Sequence, residues 1–227
     1  MGHELEIIAL ERGHTIVAIF DNELDWQQNT VPQCDVAIDF STPETAPLII
    51  DRCFDLNIPV ISGTTGWNER RIETIKRAFD EGKTFFYASN FSIGVNIFIE
   101  INKKLASFLC PLREYGVSIH EIHHIHKKDA PSGTAITLAE GIIDECDRYD
   151  SWVFEKDESS KVRISSERIG EVPGTHKIEW NSDIDSIQIK HTAHSRKGFA
   201  LGAIIAAEWI LGRTGVFGMS DLLRQND

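Results

Sequence analysis

Over residues 5–91, short apolar runs alternate with amphipathic segments that end in turn residues, and this alternation constrains the fold more than any other feature. Leu5, Ile8 and Ala9 are spaced for a helix ending near Gly13. Thr15-Ile16-Val17-Ala18-Ile19-Phe20 then reads as a buried strand closed by Asp21-Asn22. Asp35-Val36-Ala37-Ile38-Asp39-Phe40 reads as a second strand, followed by Ser41-Thr42-Pro43-Glu44, a helix start with a hydroxyl cap, a proline and an acid. Pro59-Val60-Ile61-Ser62 is a third, ending in Gly63-Thr64-Thr65-Gly66 before a helix to about Gly82. Thr84-Phe85-Phe86-Tyr87-Ala88 is a fourth, ending in Ser89-Asn90-Phe91. Apolar strands separated by helices predict a parallel sheet covered on both faces. Ligands of such sheets sit beyond the carboxyl ends of the strands. Asp21, Ser41-Thr42, Gly63-Thr64-Thr65 and Ser89-Asn90-Phe91 all fall there. Any one of them serves equally well as a turn or cap residue, but together they favour a nucleotide site.

After residue 91 the pattern changes. A long helix over about 93–109 leads to a strand, Val117 to His126, and a helix from Ser132 to about Cys146. Extended segments follow one another at Lys161–Arg168, His176–Trp180 and Ser186–His191 with no helix between them, which predicts a mixed, mostly antiparallel sheet. From Arg196 a run rich in small apolar residues, including Gly202-Ala203-Ile204-Ile205-Ala206-Ala207, reads as a buried helix returning to the first domain. The expected architecture is α/β: a Rossmann-like parallel sheet formed by residues 1–92 and 196–227, and a second α+β domain over 93–195. A dinucleotide fold begins with a strand and a glycine-rich turn before its first helix. Here Met1-Gly2 reads as the tail of such a turn, so the first strand is missing from the pattern and the chain is expected to bind a dinucleotide poorly.

Bulk properties exclude several classes. The apolar runs are short and broken by charge, so no membrane span is expected. Acids near the N-terminus argue against an export signal. Cys34, Cys53, Cys110 and Cys146 form no short-spaced pair, so they are expected as reduced thiols of a cytoplasmic protein and no metal centre is expected from them. A net charge of −12 argues against a broad nucleic-acid surface.

In so acidic a chain, the cluster of imidazoles and lysines at 120–128 stands out. In a regular strand His120, His124 and His126 share one face and His123 takes the other. Zinc held by His124 and His126 is one reading, disfavoured because no Cys or carboxylate partner has supporting spacing. A satisfied structural role suits His120 and also His126. The next turn, Lys127-Lys128-Asp129-Ala130-Pro131-Ser132-Gly133-Thr134-Ala135, starts a helix with Ser132 as cap and leaves the Gly133 and Thr134 amides to face an anion. Imidazole, ammonium and helix amides so close together suit a small carboxylate substrate and a proton donor for reducing a polarised double bond.

The run Glu121-Ile122-His123-His124-Ile125-His126-Lys127-Lys128-Asp129-Ala130-Pro131-Ser132-Gly133-Thr134-Ala135 resembles the signature of the 4-hydroxy-tetrahydrodipicolinate (dihydrodipicolinate) reductase family of diaminopimelate and lysine biosynthesis. Asp39-Phe40-Ser41, Gly63-Thr64-Thr65-Gly66, Ala88 through Asn96 and Arg168-Ile169-Gly170 extend the resemblance along the chain. It implies an enzyme that reduces a small dicarboxylate with NADH or NADPH, as a homotetramer whose domains close around both ligands. It further implies His123 as general acid/base and Lys127 as a second proton donor. His124, Gly133 and Thr134, with Arg196, would hold the substrate carboxylates. Gly63, Thr64 and Thr65 with Ala88, Ser89, Asn90 and Phe91 would line the nicotinamide, Gly2 would lie by the pyrophosphate and Asp21 by the adenosine ribose. Asp21 followed by Asn22 offers a 2′-phosphate no arginine, which favours NADH. Two other readings are another two-domain dehydrogenase of amino or hydroxy acids, which does not require the Pro-Ser-Gly-Thr turn after paired histidines, and a non-catalytic dicarboxylate-binding remnant.

Overall fold

A computed structural model of the chain describes residues 1–22 and 30–224, and its backbone divides into two units. Met1–Ile93 and Lys197–Asp227 form the first, Gly94–Arg196 the second.

The first unit holds α1 (Gly2–Glu11), β1 (Ala37–Asp39), α2 (Ala46–Asp55), β2 (Val60–Ser62), α3 (Asn68–Asp80) and β3 (Thr84–Tyr87). Its strands β1, β2 and β3 pair in parallel, with Ile38 opposite Ile61 and Ile61 opposite Phe86. The pleat sends successive side chains to opposite faces. Val60 and Phe85 therefore pack under α2 and α3, against Ile50, Phe54 and Ala78. Ile61 and Phe86 face the other way, against Ala203, Ala206 and Ile210. Such two-sided burial explains why β2 reads as an unbroken apolar run. The helix expected after Ser41 begins as a turn at Thr42, whose carbonyl accepts from the N–H groups of Thr45 and Ala46.

Residues 15–20 depart from expectation. No ladder forms there among the described residues, and Val17 and Ile19 are more than half exposed. An apolar run becomes a strand only where a neighbour takes up its N–H and C=O groups. The sheet's β1 edge does not pair with it.

The second unit holds α4 (Ile93–Leu109), β4 (Gly116–His123), α5 (Gly133–Glu145), β5 (Ser151–Phe154), β6 (Lys161–Arg168), β7 (Gly174–Asn181) and β8 (Ser186–Ala193). Its sheet runs β5-β6-β4-β7-β8. It is mixed as expected but evenly so: β5 with β6 and β6 with β4 are parallel, β4 with β7 and β7 with β8 antiparallel. The core lies between the sheet and helices α4 and α5, where Ile119, Ile164, Ile178 and Trp180 meet Phe98, Leu138 and Ile142. Asn102, fully buried on α4, donates to the Leu138 carbonyl of α5 at 2.9 Å. Strand β5 was not expected from sequence, being only four residues long. Cys110 and Cys146 are joined in a disulfide with a Cα–Cα distance of 5.3 Å, which corrects the expectation of four free thiols. They follow the C-terminal ends of α4 and α5, and their separation of 36 residues hides that proximity.

The chain then re-enters the first unit through α6 (Lys197–Ile210), β9 (Gly215–Phe217), parallel to β3, and α7 (Met219–Leu223). Ala200 and Ile204 of α6 pack on Ile8 and Ala9 of α1. Arg12 and His14 grip Glu208 at 2.7 and 2.8 Å. Among the described residues, no helix is long and apolar enough to cross a membrane.

Candidate functional site

Strand β4 builds the site of the second unit. Along its pleat Ile119, Glu121 and His123 are all buried, so the face that begins as core ends in an acid and an imidazole. β4 lies between β6 and β7, and the register sets Ser166 and His176 on either side of Glu121 and Arg168 beside His123. Cross-strand neighbours of this kind are in direct reach.

Glu121 is fully buried, yet its carboxylate is well supplied with donors. Oε1 accepts from the Ser132 N–H at 3.0 Å, from the Ser166 hydroxyl, and from Arg168 Nη2 at 3.3 Å. Oε2 lies 3.3 Å from His123 Nδ1 and 3.6 Å from His176 Nε2. Burial alone would raise the acid's pKa, but the close imidazoles of His123 and His176 and the hydrogen bonds from Ser132 and Ser166 outweigh it and hold the carboxyl far below its ordinary range. His176 moves downward because burial disfavours its cation, with Glu121 opposing. The His123 and His176 rings meet edge to face at 5.1 Å. The ligating atoms of Glu121, His123 and His176 lie within 4.8 Å of one another, a spacing that could hold a metal ion. Ser132, Ser166 and Arg168 occupy the other oxygen of the carboxylate, so only the two imidazoles face Oε2.

β4 ends at His123, so His124 and His126 do not continue a strand face with His120; this corrects the expected alternation. His124 and Ile125 open a turn in which the Lys127 N–H donates to the His124 carbonyl at 3.1 Å. His124 is half-buried, and its Nδ1 is buried without a hydrogen-bond partner. Lys127 Nζ binds both oxygens of Asp129 at 2.7 and 2.8 Å, and this bond chiefly lowers the Asp129 pKa. Arg168 fastens the same loop, donating to the Asp129 carbonyl at 2.6 Å and to the Lys127 carbonyl at 3.4 Å. Ser132 caps α5 as expected: its hydroxyl accepts from the Ala135 N–H at 3.2 Å and contacts His176 Nε2 at 3.1 Å. Gly133 and Thr134 are therefore the first residues of α5, where helix amides lack intrahelical partners. His120 is held by Ser165 and Glu167, and His126 lies 3.3 Å from Glu171, both away from the cluster. Arg196 is exposed, with no hydrogen bond or ion pair to the cluster among the described residues.

In the first unit, buried Asp39 ends β1. It accepts from the hydroxyls of Ser62 at 2.8 Å and Thr64 at 2.9 Å, and from the Ser41 N–H at 3.1 Å. The Thr64 carbonyl accepts from Trp67 Nε1 at 2.6 Å. Gly63 is seated on the Phe40 ring, where a Cβ would collide. Thr65 and Ser89 are exposed, and the Asn90 side chain accepts from the Ser92 N–H. Ala88 is buried, and the Phe91 ring is buried against Phe40 and Phe86. Gly2 and Asp21 line an open cavity of about 1210 Å³ that Asp39, Phe40 and Ser41 also line. None of residues 63–65 and 88–91 lines that cavity.

Reading from sequence missed Glu121, Ser166, Arg168 and His176 as one assembly. Parity could have found the first: Val117, Ile119, Glu121 and His123 alternate along one strand, and two leading apolar residues mark that face as core. His176 required the β4–β7 register, which no local pattern reveals.

Residues 94–223 match the sequence model described as dihydrodipicolinate reductase, C-terminus, and residues 1–91 the one described as dihydrodipicolinate reductase, N-terminus. A 4-hydroxy-tetrahydrodipicolinate reductase of Christiangramia forsetii is 45% identical, over 98% of this chain and 93% of its own length. That of Neisseria meningitidis is 33% identical, over 98% and 85%. Among solved structures, a dipicolinate-bound dihydrodipicolinate reductase from Paenisporosarcina sp. TG-14 matches with a TM-score of 0.74 over 96% of this chain and 92% of its own, at 21% identity, a likeness of fold. With the signature residues gathered at the end of β4 and both sequence models matched in order, the chain belongs to the dihydrodipicolinate reductase family of oxidoreductases.

Proposed function

We propose that this chain reduces 4-hydroxy-tetrahydrodipicolinate to tetrahydrodipicolinate in diaminopimelate and lysine synthesis, with NADH or NADPH as the hydride donor. The observation that carries the reading is the meeting, at the end of β4, of a proton-bearing imidazole with the capped start of a helix. His123 rests on buried Glu121, and the same carboxylate holds the N–H of Ser132, the residue that caps α5. A dicarboxylate needs amide and cationic donors for its charges and a nearby acid for the reaction. The N–H groups of Gly133 and Thr134, with His124 and with Arg196 from the end of the second unit, take the carboxylates. Replacing a ring hydroxyl by hydrogen releases water, which consumes a proton. His123 supplies it as general acid/base, and Lys127, held by Asp129, is the second donor.

When bound, the dinucleotide supplies the hydride. Gly63, Thr64, Thr65 and Ala88 through Phe91 would hold its nicotinamide side, Gly2 its pyrophosphate and Asp21 its adenosine ribose. Asp21 and Asn22 bring no cation to a 2′-phosphate, which favours NADH. The family resemblance also supports a homotetramer working in the cytoplasm. The test is nucleotide oxidation with freshly generated 4-hydroxy-tetrahydrodipicolinate, using NADH and NADPH in parallel. His123→Gln is expected to lower kcat about 10²- to 10⁴-fold, with nucleotide affinity retained. Near-normal turnover by that variant would remove His123 from the chemistry, and an inactive parent protein would refute the reading as a whole.

A further inference from the structure

The two oxygens of Glu121 are differently partnered. Oε1 is taken up by Ser132, Ser166 and Arg168, whereas Oε2 makes no hydrogen bond of full geometry and is buried. His123 Nδ1 is likewise buried without another partner, 3.3 Å from that oxygen. An ionised carboxylate only accepts, so a nitrogen facing it in a buried site must bring a proton. Nδ1 without one would set two lone pairs against each other with no water between. The opposite edge of the ring is differently built: His123 Nε2 looks toward Gly174, where even a Cβ would stand at 3.1 Å. A side chain at position 174 would crowd that edge.

We propose that Glu121 is a positioning residue that holds His123 as its Nδ1–H tautomer, so that Nε2 is the atom through which the imidazole exchanges protons with substrate. The inference rests on the reading of His123 as the acid/base group. One buried carboxylate then sets the imidazole's tautomer through Oε2. Through Oε1 it holds the start of α5 by the Ser132 N–H and the Lys127 loop by way of Arg168. The charged and titratable groups facing the pair are His176 on β7, Arg168 on β6, and Lys127 and Asp129 on the loop.

The test is ¹⁵N NMR of the full chain labelled at histidine, with His123 assigned by the signal lost in His123→Gln. In its neutral form His123 is expected to show a protonated Nδ1 and a bare Nε2. In Glu121→Gln the balance is expected to shift toward Nε2–H. The same variant should lose about 10- to 100-fold in kcat, as removal of a supporting carboxylate does elsewhere, with KM changed less than about threefold and the acid limb of the pH profile displaced. Glu121→Asp should recover part of the tautomer and part of kcat. An Nε2–H tautomer in the parent protein overturns the proposal, and that spectrum decides even if the variants fail to fold. So does stoichiometric zinc in the purified protein whose chelation changes the His123 signals. The expected tautomer in a protein that does not turn over substrate would sink the proposed reaction and leave the pairing standing, whereas normal turnover with the reversed tautomer sinks the pairing alone.

Discussion

Replacing Asp39 by alanine and by asparagine separates two ways in which its buried carboxylate could matter. Asp39 is 4% exposed, Ser62 is fully buried and Thr64 is 5% exposed, so the donors that Asp39 satisfies have little access to water. Alanine orphans the two buried hydroxyls, each worth about 1–3 kcal/mol when left unpaired in the interior, whereas the N–H of exposed Ser41 turns to water. Hydroxyls turn to find other acceptors and such costs do not add fully, so about 2–4 kcal/mol is expected in total. Asparagine keeps the shape. Its oxygen accepts from the Ser41 N–H, and its NH₂ donates to two hydroxyls, each of which accepts as readily as it donates. What disappears is the charge assistance, about 1–2 kcal/mol. The assay is urea unfolding followed by tryptophan fluorescence, since Trp67 is tied to the Thr64 carbonyl and reports on this loop. A matching rise in KM for the nucleotide should follow the alanine variant. Equal destabilisation by both substitutions would show that charge, and not the number of satisfied donors, is what Asp39 provides. A loss below about 1 kcal/mol in the alanine variant would refute the accounting itself.

Two further outcomes follow from packing and charge in the first unit. Glu208 is held down to about 2, chiefly by the hydrogen bond from Arg12 and further by that from His14 against an opposing effect of burial. A carboxyl depressed in the folded state stabilises above its unfolded value and loses that contribution as pH falls. Its side chain remains 30% exposed, so the solvent-screened worth is about 1–2 kcal/mol. Glu208→Gln should cost that much at pH 7 in urea unfolding, with the gap to the parent protein closing from pH 4.5 down to about 2; a gap independent of pH would refute the ion-pair assignment. At Gly202 a Cβ would run into the Phe91 carbonyl oxygen, so α6 must shift to admit one. Gly202→Ala is expected to destabilise by about 1–3 kcal/mol, read from the urea midpoint, and a neutral effect would mean that the helix moves freely at this contact.

What could be read from the sequence followed the range over which each pattern acts. Strands β1 to β3 are marked by apolar runs because both faces are buried, and α5 is marked by the local chemistry of its Ser132 cap. Residues 15–20 carry the same apolar mark and form no strand, because a ladder depends on a neighbour that composition does not specify. The site divides along the same line. His123, Lys127 and the Gly133–Thr134 turn lie within twelve residues and were found together, being one continuous stretch of chain. Glu121, two residues from His123, opens the signature run yet receives no role from sequence, because an acid on a strand reads as a solvated one until the strand's buried face is known. His176 and Arg168 reach Glu121 only through register with β7 and β6, from 55 and 47 residues away. The contiguous stretch from His123 to Thr134 was therefore legible, while its partners from other strands were not. Orientation is exerted across strands: it depends on pairing, and a single sequence encodes pairing only through the whole fold.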